Sequence, residues 1–222
     1  MSGAGLLLYW FATVPDVAVL ATTNPSTTAF IESRRAEATK PGRPFTVRWT
    51  WMPLTRLSPH LQKAVILSED ASFYQHRGFD WEGLKEALER NVDRGELRRG
   101  GSTITQQLAK NLYLSPAKTL LRKGQEAFLT WELERRLSKK RILELYLNVA
   151  EWGQGVFGAE AAARHHFGKS ASDVSPAEAA LLAALLPSPR RYDPNRLTPY
   201  LAKRQAQILQ RMGESGEQNR DP

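Results

Sequence analysis

Between Ser68 and Asp80 the chain reads SEDASFYQHRGFD, which puts the carboxylates of Glu69 and Asp70 at the end of an apolar helical pattern. Ser58-Pro59 reads as an N-cap followed by proline at the first helical position, and Leu61, Val65 and Glu69 recur at i, i+4 and i+8. Glu69 therefore projects from the stripe that the helix buries. Withdrawal from water disfavours an ionised carboxylate and raises its pKa, which suits a general base or acid working near neutrality. Taken alone, a Glu-Asp pair at a helix end is more often a solvated acidic cap. His76 with Asp70 and Asp80 lacks a recognised ligand spacing and is read as local structure rather than a metal site; His165 and His166 are the other candidate ligands.

Two further blocks carry charge. In Arg98 to Asn111, RRGGSTITQQLAKN, two glycines precede a helix start that Ser102 is placed to cap. Gly100 and Gly101 permit close approach, unpaired N–H groups at a helix N-terminus favour an anion, and Arg98, Arg99 and Lys110 add charge. The block is not a Walker A loop, because no Gly-Lys-Ser/Thr follows at the required spacing. In Lys118 to Glu134, the residues Lys118, Arg122 and Glu126 share one helical face as a polar row. An exposed i, i+4 ion pair is worth only about 0.2–0.5 kcal/mol, so spacing alone makes this row helix decoration.

The elements that position these blocks are almost all helical. Asp80 caps a helix from Trp81, Lys118 to Leu137 is a long amphipathic helix, and Ser138 starts another that ends near Val149. Ser175-Pro176-Ala177-Glu178 is a capping box ahead of an apolar run, and Asp193-Pro194 starts the last helix. The expected fold is mostly all-α, with a short β-like connector around Thr46 to Trp51. The chain of 222 residues divides into an apolar N-terminal anchor at 1–21, a juxtamembrane connector at 22–57, a catalytic domain at 58–212 and a polar, fraying tail at 213–222. A membrane helix needs about 20 apolar residues, so the interrupted run GAGLLLYWFATV is expected to be the outer part of an incomplete anchor. With 41% hydrophobic and 24% charged residues the chain is globular, which excludes disorder throughout. A net charge of +8 points to a polyanionic partner or an anionic surface, and the absence of cysteine excludes disulfides and thiolate metal sites.

The three blocks in this order, followed by ILELYLN (Ile142 to Asn148) and GVFGAEAAA (Gly155 to Ala163), resemble the peptidoglycan glycosyltransferases, and the monofunctional biosynthetic transglycosylases in particular. The match runs from about Leu57 to Arg191. The resemblance implies a lysozyme-like fold and a single-pass protein at the bacterial inner membrane, with its catalytic domain on the outer, periplasmic face. It implies polymerisation of lipid II into β-1,4-linked glycan, with inversion and release of undecaprenyl diphosphate. By motif position Glu69 is the base for the acceptor hydroxyl, and Glu126 assists on the donor side. Lys110, Lys118 and Arg122 bind diphosphate oxygens, while Ser102, Gln106, Gln107 and Asn111 contact sugar or phosphate. Relatives often carry Arg where this chain has Lys118, which keeps the charge but loses the bidentate fork. A divalent cation, Mg2+ or Mn2+, and no organic cofactor are expected. The partners are lipid II, the growing strand, the membrane and other wall-synthesis or division proteins.

Two rival readings are weighed. A lysozyme-like hydrolase has the same glutamate but no evident need for the cationic rows. A nucleic-acid-binding module fits the charge, but the acidic positions at Glu69, Asp70 and Glu126 and the lack of a binding motif speak against it, so no nucleic acid is expected.

Overall fold

The computed structural model describes residues 15–38, 46–85, 101–114 and 119–217. Its helices are α1 (Ala29–Ala38), α2 (Pro59–Glu69), α3 (Ile104–Tyr113), α4 (Leu120–Arg136), α5 (Lys139–Val149), α6 (Ala159–Phe167), α7 (Pro176–Leu185) and α8 (Pro199–Glu217), with a helical turn at 81–85. A small sheet completes it: β1 (Arg48–Trp49) runs parallel to β3 (Val156–Phe157), and β2 (Glu151–Gly153) pairs antiparallel on the other side of β3. The expected mostly helical architecture with a β-like connector is what forms.

Helix α7 is apolar on every side, AEAALLAAL after its proline, and a helix of that kind has to be covered all round. It lies between α2 and α8, with Ala179 to Leu185 all buried. The burial of α7 fixes α2, and so fixes the end of α2 that carries Glu69. Helix α5 inserts Ile142, Leu143, Leu145, Tyr146 and Leu147 into the same core. Its Asn148 is fully buried and stitches the connector to the helix. The amide donates to Met52 O at 2.9 Å and Glu144 O at 2.8 Å, its oxygen accepts from Met52 N at 2.8 Å, and its own carbonyl accepts from Trp49 Nε1 at 2.7 Å.

Several local expectations are corrected. The segment from Val17 to Ala38, which spans the end of the expected anchor and part of the expected connector, packs on the domain. Val17, Leu20 and Ile31 are buried, and the Arg141 guanidinium clamps Leu20 O at 2.7 Å, Thr23 O at 3.0 Å and Asn24 Oδ1 at 2.8 Å. The apolar run at 1–14 lies outside the described residues, among which no helix is long and apolar enough to cross a membrane. Ser58 holds the N-cap position of α2, but its hydroxyl donates to Val174 O at 3.0 Å instead of capping. Asp193 accepts from Asn195 N in a turn, and the last helix begins only at Pro199, where Thr198 Oγ1 receives Leu201 N. Helix α8 then continues to Glu217, past the glycine where fraying was expected. Ser138 and the Ser175/Glu178 capping box do cap α5 and α7.

The loop after α2 depends on Gly78. Its φ is +87°, and a Cβ there would stand 2.8 Å from Thr130 Cγ2 on α4. Gly168, which ends α6, also has a positive φ of +68° but faces open space. Gly168→Ala should cost about 1–2 kcal/mol for conformation alone. Gly78→Ala adds overpacking worth about 1–3 kcal/mol to a similar strain and should lower the melting temperature clearly more. Thermal or urea unfolding of the two variants checks this.

Candidate active site

Glu69 is the last residue of α2, where the helix carbonyls already disfavour a negative charge. Burial raises its pKa, and the groups opposing the rise are, in order, the Gln107 amide, Arg204, the Ser68 hydroxyl and Lys110. Gln107 Nε2 donates to Glu69 Oε2 at 3.0 Å, and Ser68 Oγ donates to Oε1 at 3.2 Å. The Gln107 amide is held at both ends: its NH2 faces the Glu69 carboxylate, which can only accept, and the hydroxyl of buried Tyr146 donates to its Oε1 at 3.0 Å. Burial, followed by Glu69 and Asp70, pushes the Tyr146 phenol far above its ordinary value, so it keeps the proton it donates. Tyr146 thus supports the surroundings of Glu69 through Gln107, a contact that motif reading missed, although the segment ILELYLN contains it.

Asp70 serves structure. Its Oδ2 receives the Ile104 N–H at 2.9 Å, at the first residue of α3, and its Oδ1 receives His76 Nε2 at 2.8 Å. His76 Nδ1 in turn accepts from Gly78 N at 3.1 Å. The N-cap of α3 is Thr103 rather than Ser102: Thr103 Oγ1 donates to Gly78 O at 2.7 Å and receives Gln106 N at 3.2 Å. Gln106 Oε1 closes the capping box on Thr103 N at 3.0 Å, so Gln106, expected to contact substrate, has its carboxamide oxygen committed to the helix end. The spacing Thr-x-x-Gln was legible as a capping box.

Two cavities flank α3. One of about 490 Å3 opens beside Glu69 and is lined by Ser68, Ser72, Ser102, Thr103 and Arg211. The other, about 380 Å3, is lined by Gln107, Lys110, Asn111, Tyr146, Arg34 and Arg190. The structure thus brings Glu69 and exposed Ser102 to the first cavity and Gln107, Lys110 and Asn111 to the second, with the Gln107 amide joining them.

Glu126 on α4 is buried, with Oε2 held by Arg122 Nη1 at 2.7 Å and Oε1 by the Lys123 ammonium. Lys123 was not foreseen as part of this row. Lys110 lies within the field of this group and of Glu69. Burial lowers its pKa, Glu126 opposes the fall, Arg122 and Lys123 deepen it, and Glu69 opposes it again. The row therefore joins α3 to α4 as a cationic bed. Lys118, Arg98, Arg99 and Gly100 lie outside the described residues.

Among the described residues, the donor sets have their ligand atoms engaged within the protein and do not offer a free set to the expected divalent cation. Asp70, His76 and Asp80 bring one ligand atom each within 4.8 Å of one another. Yet both Asp70 oxygens and both His76 nitrogens are engaged as above, and Asp80 accepts from Gly83 N at 2.8 Å and from the Ser72 hydroxyl. The Ser72 and Gly83 hydrogen bonds hold the Asp80 carboxyl below its ordinary value. Both oxygens of Glu126 already face cations. His166 Nε2 contacts Trp152 O at 3.1 Å, and burial lowers its pKa.

A family model described as Transglycosylase matches residues 14–213. Curated biosynthetic peptidoglycan transglycosylases are similar along most of their length. The protein of Nitrosospira multiformis is 54% identical over 192 residues, covering 86% of this chain and 84% of that protein. That of Dechloromonas aromatica is 51% identical over 189 residues, covering 85% and 82%. That of Herminiimonas arsenicoxydans is 45% identical over 222 residues, covering 94% and 96%.

The locked amide makes its own prediction. Tyr146→Phe leaves a buried Gln107 oxygen without its donor and should cost about 1–2 kcal/mol of unfolding free energy. The released amide no longer presents its NH2 steadily to Glu69, so the Glu69 carboxyl should titrate at higher pH, as followed by carboxyl 13C shifts.

Proposed function

Because this chain belongs to the transglycosylase family, we propose that it is a peptidoglycan glycosyltransferase of bacterial cell-wall synthesis, with Glu69 as the base that activates the acceptor. In this reading Glu69 takes the proton of the acceptor GlcNAc 4-hydroxyl as that oxygen attacks C1 of the lipid-linked donor. The new C1–O bond forms as the bond from C1 to the diphosphate oxygen breaks, and undecaprenyl diphosphate leaves with both bonding electrons. A single displacement inverts the anomeric carbon, giving a β-1,4 link. The proton on Glu69 passes to solvent through the open cavity before the next cycle.

The observation that carries this reading is a half-buried carboxylate joined through one amide to a groove that holds Lys110. A base needs a pKa near the working pH, and burial at a helix end moves a carboxyl in that direction. A departing diphosphate needs cations aimed at oxygens whose charge grows, and Lys110 with Arg122 supplies them. By the family motif, Lys118 is a further residue assigned to the diphosphate. Glu126 acts chiefly by holding Arg122 and Lys123 in place, since its own oxygens are taken. Asn111 and Ser102 offer neutral hydrogen-bonding groups to the sugars from the two cavities. The substrates are lipid II and the growing strand, and the site of action is the outer face of the cytoplasmic membrane, where the basic chain is drawn to anionic headgroups.

Polymerisation of lipid II in detergent, followed by gel separation of the glycan, tests the proposal. Glu69→Gln should lower the rate by at least about 100-fold. Shortening of preformed glycan without synthesis would instead identify a hydrolase. The same variant has a second signature. Burial raises the folded-state pKa above the ordinary 4.5, so ionised Glu69 costs stability at neutral pH. Glu69→Gln should therefore melt higher than the parent above the folded pKa, and the gain should vanish as pH falls below the ordinary carboxylate range.

A further inference from the structure

Gln107 accounts for one oxygen of Glu69, and the other is met by Ser68, which is itself held from a part of the chain that no motif block includes. Ser68 Oγ lies 3.2 Å from Glu69 Oε1 and 3.5 Å from Ala183 O, and Arg204 Nη2 of α8 donates to that same hydroxyl at 3.1 Å. A guanidinium has no lone pair to offer, so the Ser68 oxygen is the acceptor and its proton has to point elsewhere. Of the two available acceptors, the carboxylate is the nearer and the charged one. Arg204 forms no ion pair among the described residues, and its Nε is buried without a hydrogen-bond partner. The packing of α8 on α2 and α7 holds the guanidinium in place, and its charge is left to act on the adjacent carboxylate.

We propose that Arg204, acting through Ser68, is a positioning residue for Glu69: the last helix of the domain orients the carboxylate and holds it in the form that accepts a proton. The inference rests on the reading of Glu69 as the base. Other groups also face this carboxylate. Lys110 and Gln107 come from α3 and Tyr146 from α5; Asp70, bound to His76, follows in the chain; Asp80 and Glu82 line the cavity; and Arg211 reaches it from α8 with Nη1 on Leu67 O at 2.7 Å. Among the cations, Arg204 opposes the upward shift of Glu69 more than Lys110 does. Two oxygens held from two sides leave the carboxylate one orientation, with its remaining lone pairs turned to the cavity.

The test compares Arg204→Gln, Arg204→Lys and Ser68→Ala with the parent and with Glu69→Gln. The readouts are the pH dependence of kcat/KM for lipid II polymerisation, KM for lipid II, and the substrate-free titration of the Glu69 carboxyl 13C signal, assigned by its absence in Glu69→Gln. Losing the cation favours the protonated carboxyl. Arg204→Gln should therefore move both the acidic limb and the 13C midpoint to higher pH, with a several-fold greater loss on the acidic side than above the limb and with KM unchanged. Arg204→Lys should restore the parent midpoint, and Ser68→Ala should lie between. A uniform loss at all pH values, or an unmoved 13C midpoint in a variant that melts cooperatively, overturns the proposal. If Arg204→Gln does not fold, an unmoved midpoint in Ser68→Ala overturns it equally. Parent-like polymerisation by Glu69→Gln would remove the underlying reading of the base, whatever Arg204 does.

Discussion

A carboxylate taken half out of water at the negative end of a helix is the constraint around which the rest of this protein is arranged. Burial and the α2 dipole both favour the protonated form of Glu69, and the groups around its carboxylate work against that shift. Its two hydrogen-bond donors come from different places, Gln107 from α3 and Ser68 from α2 itself, and each donor is oriented by a further group, Tyr146 and Arg204. The site therefore depends on the relative placement of four helices, α2, α3, α5 and α8. The apolar burial of α7 between α2 and α8, together with the burial of α5, keeps those helices in register.

Many residues in the motif blocks hold elements together. Asp70, His76, Gly78, Thr103 and Gln106 form one hydrogen-bonded unit that joins the end of α2 to the start of α3. Behind it, Thr105 Oγ1 and Lys139 Nζ meet Glu134 Oε1 at 2.5 and 2.7 Å, and Lys139 lies 4.4 Å from the centre of the buried Phe73 ring. These contacts tie the loop, α3, α4 and α5 to one another. A base and a cationic bed need that rigidity, since a displacement of about 1 Å at the reacting atoms costs much of the rate.

The cations are arranged by the same logic. A buried carboxylate such as Glu126 is costly unless its lone pairs are filled, and Arg122 and Lys123 fill them. The pair gathers positive charge beside Lys110, whose burial works against its own ionisation. On the proposed reading, a diphosphate bound there would relieve that tension by bringing further negative charge to the bed. This accounts for a strongly basic groove built around an acidic side chain.

The sequence by itself determined the helical class, the bounds of α2, α4, α5 and α7 to within a residue or two, and the place of Glu69 at the end of a buried stripe, because those follow from local periodicity and capping chemistry. Local signals also contained what was misassigned: Thr103 with Gln106 is a capping box in plain view, and Thr198-Pro199 is a better helix start than Asp193-Pro194. Only the tertiary structure decided what surrounds the acid. Tyr146, Arg204 and Glu69 are far apart along the chain, and the hydrogen bonds that link them through Gln107 and Ser68 leave no periodic trace. The same holds for Val17, Leu20 and Ile31, whose apolar character suited an anchor or connector as well as a core. Burial depends on which surfaces meet, and for contacts of long sequence separation the folded chain alone supplies that.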